Sequence, residues 1–253
     1  MKILITAGGT REDIDTVRGI TNYSTGRLGS LIADCFLKNG CQVTYICGEG
    51  SALPNFTNRS NSQEFQTLQT LQNSQKNGGN FTKIQIRSTA QLLEKLEHVL
   101  TETSFDAVIH SMAVSDYAPH AIMPFGEENH GNNEDNKLDI MQDIKKISSS
   151  APYLAMILKR QPKVIARIKV LQPETLLVGF KLLSGVDEAE LVQAALKLLE
   201  KNRCGYVLAN DLQNIKGDTH NALLLNKNGI YSRLNTKHEI ADKIYNVVKE
   251  WYR

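Results

Sequence analysis

The stretch from Lys2 to Gly29 constrains the fold more than any other part of the chain. An apolar run, Ile3-Leu4-Ile5, ends in Gly8-Gly9; after a polar loop, a second glycine-bearing turn, Ser24-Thr25-Gly26-Arg27-Leu28-Gly29, opens a new apolar pattern. Leu28, Leu31, Ile32, Cys35 and Phe36 fall at i, i+3, i+4, i+7 and i+8, so residues 26–39 are predicted as a helix that Gly40 stops. Residues 2–6 and Gln42–Cys47 read as buried strands on either side of it. A β-loop-α-β start of this kind begins a doubly wound sheet. Its free backbone N–H groups and helix N-terminus form an edge suited to phosphate. The dinucleotide fingerprint G-x-G-x-x-G is missing: Gly8-Gly9 is too short for it, and Ser24–Gly29 matches only half. The edge points to a nucleotide without pointing to a nicotinamide cofactor.

The alternation continues along the chain. Lys83–Arg87 is a strand, Ser88 to Gln91 a capping box, and Leu92, Leu96 and Val99 one helical face. Asp106–His110 is a further strand, with Ser111–Pro119 leaving its C-terminal end; Tyr153–Leu158 is a short strand, and a helix runs from about Lys163 to Leu171. Strand Thr175–Phe180 precedes a helix capped at Asp187 and carrying Leu191, Ala195, Leu198 and Leu199. Gly205–Ala209 is a strand ending at Asn210-Asp211, and Asn221–Leu225 with Ile230–Leu234 forms a β-hairpin. A last helix, capped at Thr236, carries Ile240, Ile244, Val247, Val248 and Trp251 on one face. Polar insertions fall near residues 50–82 and 120–145, the first read as a mobile surface segment. The reading is α/β over residues 1–253 as one domain: a Rossmann-like doubly wound, mainly parallel sheet with helices on both faces and an added β-hairpin or flap.

Composition narrows the function by exclusion. A net charge of +2 over 253 residues gives no general attraction to nucleic acid or membrane, and no segment is apolar enough to span a bilayer. Cys35, Cys41, Cys47 and Cys204 form no C-x-x-C pair, and the six histidines show no H-x-x-x-H spacing, so neither a zinc site nor a triad is expected. Without a signal-peptide pattern the expected location is the cytoplasm.

Ligands of such a sheet belong at the C-terminal ends of its strands. Gly8-Gly9-Thr10, Met112 to Asp116, Gly179-Phe180 and Asn210-Asp211 all fall there, and the Asn22–Gly29 turn faces them. Lys146 follows a polar segment, where a lysine can close over phosphate charge. Lys197 and Lys201 stand four apart on one helix face, so that both can reach one anion.

These residues, taken in order, resemble phosphopantothenate–cysteine ligase. The resemblance is carried by Ile5 to Asp15, Val17-Arg18, Asn22 to Gly29, Ala113 to Tyr117, Lys146 to Ser149, Val178 to Phe180 and Ala209 to Asp211, and it covers the chain nearly end to end. It implies a ligase that joins 4′-phosphopantothenate to L-cysteine through an acyl-nucleotide, with CTP favoured over ATP, Mg²⁺ accompanying the nucleotide, no flavin, and a homodimer. By the same resemblance Gly8, Ser24, Gly26 and Gly29 hold nucleotide phosphates. Asp116, Pro162, Lys163, Val164, Ile165 and Phe180 surround base and ribose, and Lys197, Lys201 and Asn210 complete the nucleotide site. Lys146 matches the lysine that promotes acyl-nucleotide formation; a one-residue shift would put Lys145 in its place. Asn22 matches the asparagine that handles the intermediate, and Asn22 and Ala113 border phosphopantothenate. His110-Ser111-Met112 stands where that family often has smaller residues. No metal ligands are assigned.

Two other readings compete. A nicotinamide-dependent reductase is disfavoured by the missing fingerprint and by the end of the second strand, where Glu49 is the nearest acid able to take a ribose diol. A non-catalytic nucleotide-binding protein is disfavoured because Asn22, Asp116, Lys146 and Asn210 occur together.

Overall fold

Strand β1 (Lys2–Ala7) is central because both of its faces are apolar: past Lys2 every residue in it is buried. In the computed structural model, residues 1–55, 79–125, 139–140, 147, 152–217 and 219–252 are described. β1 pairs in parallel with β4 (Gln42–Gly48) on one side and β6 (Ala107–His110) on the other. Beyond β4 lies β5 (Phe81–Ile86). Beyond β6 lie β10 (Leu176–Leu183), β11 (Tyr206–Lys216), β12 (Thr219–Asn226) and β13 (Gly229–Thr236). The sheet order is β13-β12-β11-β10-β6-β1-β4-β5, parallel except for the terminal β12–β13 hairpin. Counted from β1, the parallel strands follow the doubly wound order 3-2-1-4-5-6, which reverses between β1 and β6 and opens a crevice there.

Alternation across β1 feeds two cores. Ile3, Ile5 and Ala7 pack with α1 (Arg27–Lys38) and α5 (Lys237–Trp251), whereas Leu4 packs with α2 (Thr89–Glu102), α3 (Ile165–Leu171) and α4 (Glu188–Asn202). The expected caps are made: Ser88, Asp187 and Thr236 accept hydrogen bonds from the backbone N–H of Gln91, Glu190 and Glu239. The doubly wound architecture read from the sequence is therefore the one observed.

Several boundaries differ from the reading. A small hairpin of β2 (Arg11–Asp13) and β3 (Gly19–Thr21) follows β1; strands of three residues, the first all charged, carry no alternation to read. β7 (Tyr117–Phe125) pairs with β8 (Asp139–Ile140) and β9 (Tyr153–Arg160) as a separate three-stranded ribbon. Pro119 and Pro124 interrupt the β7 pattern, and the register shifts between Pro119 and Ala121, so the sequence reads as an excursion where the chain forms a strand. The first insertion is shorter than expected, since Phe81 and Thr82 already belong to β5. β11 does not end at Asn210-Asp211; it runs on to Lys216 through a bulge. Residues 56–78, 126–138 and 141–145 of the two insertions lie outside the described residues.

Two histidines are buried within the fold. His110 Nδ1 shares a 2.8 Å hydrogen bond with Thr6 Oγ1, while neither ring nitrogen of His220 has a hydrogen-bond partner among the described residues. Burial pushes both rings down to about 4, with the Lys237 charge adding to the effect at His220. Both are neutral at pH 7. Between pH 6.5 and about 4 the unfolded chain takes up protons that the folded chain refuses, so stability falls as pH falls through that window. His220→Leu is expected to flatten this slope and to shift stability at pH 7 by no more than about 1 kcal/mol, since no hydrogen bond is lost. Urea midpoints of both proteins at neutral and acid pH measure the difference, and an unchanged slope would exclude His220 as a source.

Candidate functional site

The site begins with two glycine turns in contact. Gly8 has φ +82° and Gly26 φ +72°, backbone conformations that side chains disfavour. A Cβ on Gly8 would sit 1.8 Å from Ser51 Oγ, and one on Gly26 would sit 3.1 Å from the Gly8 nitrogen. Gly26 caps α1 without any side-chain bond, and the first turn of α1 carries no acid, so nothing built in competes for an anion there. Gly29 brings that turn onto β1: a Cβ would lie 2.5 Å from the Ala7 Cβ. Ser51-Ala52 closes the edge from the end of β4, with the Ala52 N–H donating to Thr25 O at 2.9 Å and Tyr45 Oη donating to Ala52 O at 2.9 Å. The sequence reading missed this wall, although Gly48 after an apolar strand was the available signal.

The crevice between β1 and β6 is closed by backbone pairing past the strand ends. Gly9 bridges Ala113, Ala113 N–H donates to Gly8 O at 2.8 Å, and Thr10 N–H donates to Ala113 O at 3.2 Å. Asn22 Nδ2 donates to the same Ala113 oxygen at 3.2 Å, which brings the two residues expected at the acyl substrate into contact. Half-buried Ser24 adjoins them, its N–H donating to Asn22 O at 2.8 Å. Beneath lies a buried polar brace. Ser115 N–H donates to Thr10 Oγ1 at 2.9 Å, while the Thr89 hydroxyl and N–H donate to Glu12 Oε1 at 2.6 and 2.8 Å.

Other expected residues are distributed unevenly. Asp116 forms an ion pair with Lys163, and its carbonyl accepts from Gln161 N–H at 2.8 Å, so Asp116 and the Pro162–Ile165 segment are together. Phe180 packs with the α1–α5 layer, whereas Val164 and Ile165 belong to the opposite layer, so these side chains do not share a wall. Asn210 is buried inside β11 opposite Leu182, three strands across from β1, about 14 Å at the usual strand spacing. Its neighbour Asp211 accepts from the N–H groups of Gly185, Val186 and Gln213, which holds its carboxyl below the usual range and ties down the turn into α4. Lys197 and Lys201 are exposed on α4, nine and thirteen residues past Glu188, hence about 14 and 20 Å down the helix from the sheet's C-terminal edge. They are not brought to the glycine turns. Lys145 and Lys146 lie outside the described residues.

Charge near the crevice is already paired. Arg87 donates to Asp13 at 2.8–3.1 Å and to Glu49 at 2.8 Å, and these carboxylates raise its own pKa. The Glu49 carboxylate, the nearest to a ribose-binding acid, is therefore engaged by a guanidinium. Asp15 is paired with Arg18 at 2.7 Å, and the Arg18 guanidinium, then the Val17 N–H, hold its carboxyl well below the usual carboxylate range. Among the described residues no three His, Cys, Asp or Glu side chains are grouped as a metal site.

The family described as the DNA/pantothenate metabolism flavoprotein C-terminal domain matches residues 1–77 and 67–252. The chain is 31% identical over 251 residues to the coenzyme A biosynthesis bifunctional protein CoaBC of Thermococcus kodakarensis, covering 98% of this chain and 51% of that protein. It is 28% identical to CoaBC of Methanocaldococcus jannaschii, covering 98% and 50%. The chain thus spans about half the length of the curated relatives it matches. The crystal structure of a DNA/pantothenate metabolism flavoprotein from Streptococcus pneumoniae superposes with a TM-score of 0.81 at 34% identity, covering 99% of both chains. A Cab2 variant in complex with phosphopantothenate-cysteine shares the fold, with a TM-score of 0.68 at 20% identity over 99% of this chain and 87% of that one. With a family match along nearly its whole length and a close structural relative of equal extent, the chain belongs to the DNA/pantothenate metabolism flavoprotein C-terminal domain family.

Proposed function

We propose that this chain is a ligase of coenzyme A biosynthesis that joins 4′-phosphopantothenate to L-cysteine and consumes a nucleoside triphosphate. The observation that carries the reading is the Asn22–Ala113 contact at the edge made by Gly8 and Gly26. It sets the residues assigned to the acyl substrate beside the glycines assigned to the phosphates. The CoaBC relatives are named for coenzyme A biosynthesis, and the Cab2 variant was solved with phosphopantothenate-cysteine, which supports the same reading.

In the first step a carboxylate oxygen of phosphopantothenate attacks the α-phosphorus. The bond to the bridging oxygen breaks, pyrophosphate leaves, and an acyl-nucleotide forms. In the second step the neutral amine of cysteine attacks the acyl carbon. The nucleoside monophosphate leaves with the C–O electron pair, and the nitrogen loses a proton as the amide forms. The barrier in the first step is anion meeting polyanion. Amides at Gly8, Gly26 and Gly29 and the Ser24 hydroxyl address it, together with Lys146. Asn22 stays beside the acyl group, where positioning dominates the second step. Base and ribose lie between Asp116–Lys163 and Phe180, with CTP favoured and ATP the alternative. The carboxylates of Asp13, Asp15, Glu49 and Asp116 are all paired with cations, so the donor set suits a Mg²⁺ that enters on the triphosphate rather than one caged by protein. No step needs a flavin.

A homodimer completes the proposal. The β7–β9 ribbon exposes apolar side chains on both faces of β9, Leu154 and Leu158 on one and Tyr153 and Ile157 on the other, with Tyr117 on β7, each more than 40% accessible; apolar surface of this kind marks an interface. No helix among the described residues is long and apolar enough to cross a membrane. Three buried cysteines and one half-buried, all unpaired, suit the cytoplasm.

The deciding assay is pyrophosphate release from CTP or ATP with phosphopantothenate, with and without cysteine; absence of a cysteine-dependent amide would end the proposal. Lys146→Gln is expected to lower pyrophosphate release by at least about 100-fold. Asn22→Asp should release pyrophosphate while acyl-nucleotide accumulates, detected by mass spectrometry. If Lys145→Gln is silent and Lys146→Gln is not, the lysine is Lys146; the reverse result assigns Lys145. Leu154→Glu with Ile157→Glu should convert a dimer to a monomer in sedimentation velocity, and an unchanged sedimentation coefficient would move the interface off the ribbon.

A further inference from the structure

Lys181 is a cation beside the crevice that no role above absorbs. It lies in β10 two residues past Gly179, which pairs with His110, the last residue of β6. Lys181 therefore stands where β10 has outrun its neighbour on the crevice side. Alternation fixes its face. Val178 and Phe180 pack with the α1–α5 layer, and Leu177 with the α2–α4 layer. Gly179 shares the Leu177 face, since a Cβ there would meet Cys204 Sγ at 3.3 Å, Ile165 Cδ1 at 3.4 Å and Leu198 Cδ2 at 3.5 Å. Lys181 is the next residue on that face, one step nearer the ligand edge than Gly179 and so beside the Pro162–Ile165 segment that opens α3.

A lysine removed from water ordinarily has a partner. Lys181 is half-buried, and its ammonium has no hydrogen-bond or ion-pair partner among the described residues. Across the β10–β11 ladder it faces only the small Ala209. The acids on its side are committed elsewhere. The Asp211 carboxylate takes the N–H groups of Gly185, Val186 and Gln213, and Asp187 accepts Glu190 N–H as the cap of α4. Glu188 is paired with Arg233, and Asp116 with Lys163. Other cations near the crevice differ from Lys181 in this respect: Arg18, Arg87 and Lys163 are each spent on a carboxylate. The Lys181 charge is left for a group that the described chain does not supply.

We propose that Lys181 is a further nucleotide-binding residue whose ammonium holds the α-phosphate, the one next to the ribose. This rests on the nucleotide reading given above. β10 lies two strands from β1, about 10 Å at the usual spacing. A nucleotide with its outer phosphates at the Gly8–Gly26 edge and its ribose by the Asp116–Lys163 pair passes its α-phosphate over the gap between those strands, within reach of the Lys181 side chain. The α-phosphorus is attacked in the first step, and the α-phosphate departs with the nucleoside in the second. One ammonium at that phosphate offsets the negative charge that grows there in both steps.

Titration calorimetry of the full chain with cytidine, CMP and CTP is the test, with the adenosine series alongside because ATP is the alternative. In Lys181→Met, which keeps the apolar stem, CMP and CTP should each bind at least about tenfold more weakly, with cytidine unchanged within about twofold. Lys181→Arg, which keeps the charge, should hold CMP within about threefold of the wild type. A loss confined to CTP would put the ammonium at the outer phosphates, and a loss shared by cytidine would make Lys181 a packing residue. Either outcome overturns the proposal, as does no loss at all, the result for a lysine that only extends into water. If Lys181→Met does not fold, amine labelling of the wild type decides. CMP should protect Lys181 from reductive methylation and cytidine should not; equal labelling with and without CMP overturns the proposal. A wild-type chain that binds no nucleotide ends both readings. CMP bound through Lys181 without any cysteine-dependent amide ends the ligase reading alone, and normal amide formation with CMP binding unchanged in Lys181→Met ends this one alone.

Discussion

The site depends on backbone pairing that continues after the two central strands have ended. Gly9 and Ala113 pair beyond β1 and β6, with Ala113 N–H on Gly8 O and Thr10 N–H on Ala113 O. Chains leaving parallel strands at a reversal of sheet order ordinarily diverge to opposite faces, and that divergence makes the crevice. Here the divergence is delayed by a residue pair. The crevice floor is therefore main chain, rigid and rich in amides, and Asn22 is hydrogen-bonded to that floor rather than hung from a loose loop. The buried brace of Thr10, Ser115, Thr89 and Glu12 lies directly below, so the floor is supported by fully engaged polar groups.

Electrostatics then selects what the crevice accepts. Acidic residues crowd its rim, yet each carries a cation: Asp13 and Glu49 share Arg87, Asp15 has Arg18, and Asp116 has Lys163. The exposed pairs among these, Asp13 and Glu49 with Arg87 and Asp116 with Lys163, contribute little stability, so their value lies in cancelling negative charge near an anion site. With the acids neutralised, the helix α1 terminus and the amides of the glycine turns dominate the local potential. The edge suits a polyphosphate better than it suits a divalent cation.

Much of this is legible in the sequence. The order of strands and helices, the capping residues Ser88, Asp187 and Thr236, and the glycine turns follow from periodicity and from local chemistry that acts over a few residues. What is not legible comes from contacts between distant segments. Ser51 against Gly8, Arg87 on Glu49 and Ile147 on the Asp15–Arg18 pair leave no local pattern. Asn-Asp usually marks a turn, and that habit puts Asn210 at a strand end. In the fold, Asp211 commits its hydrogen bonds to the Gly185–Val186 backbone, and β11 continues through. Lys197 and Lys201 illustrate the opposite limit: helical spacing correctly puts them on one exposed face, but spacing cannot say how far along the helix the ligand edge lies.

The comparison with dinucleotide-binding proteins turns on two particulars of the same strand order. A nicotinamide cofactor must be held as a reusable body, with its ribose hydroxyls fixed by an acid at the end of the second strand. In this chain that strand ends in Gly48, whose Cβ position would be only 2.1 Å from Gly9 O, and Glu49 is tied to Arg87. The space a ribose diol would need is filled by the chain's own backbone and ion pair. The glycine turns are kept, and Asn22 stands on the β6 side of the crevice, where its side chain donates to Ala113 O. In the proposed reaction a nucleotide held by its phosphates at those turns would point its α-phosphorus toward Asn22 and Ala113, as a nucleotide that is attacked and discarded must, rather than one that is reduced and released.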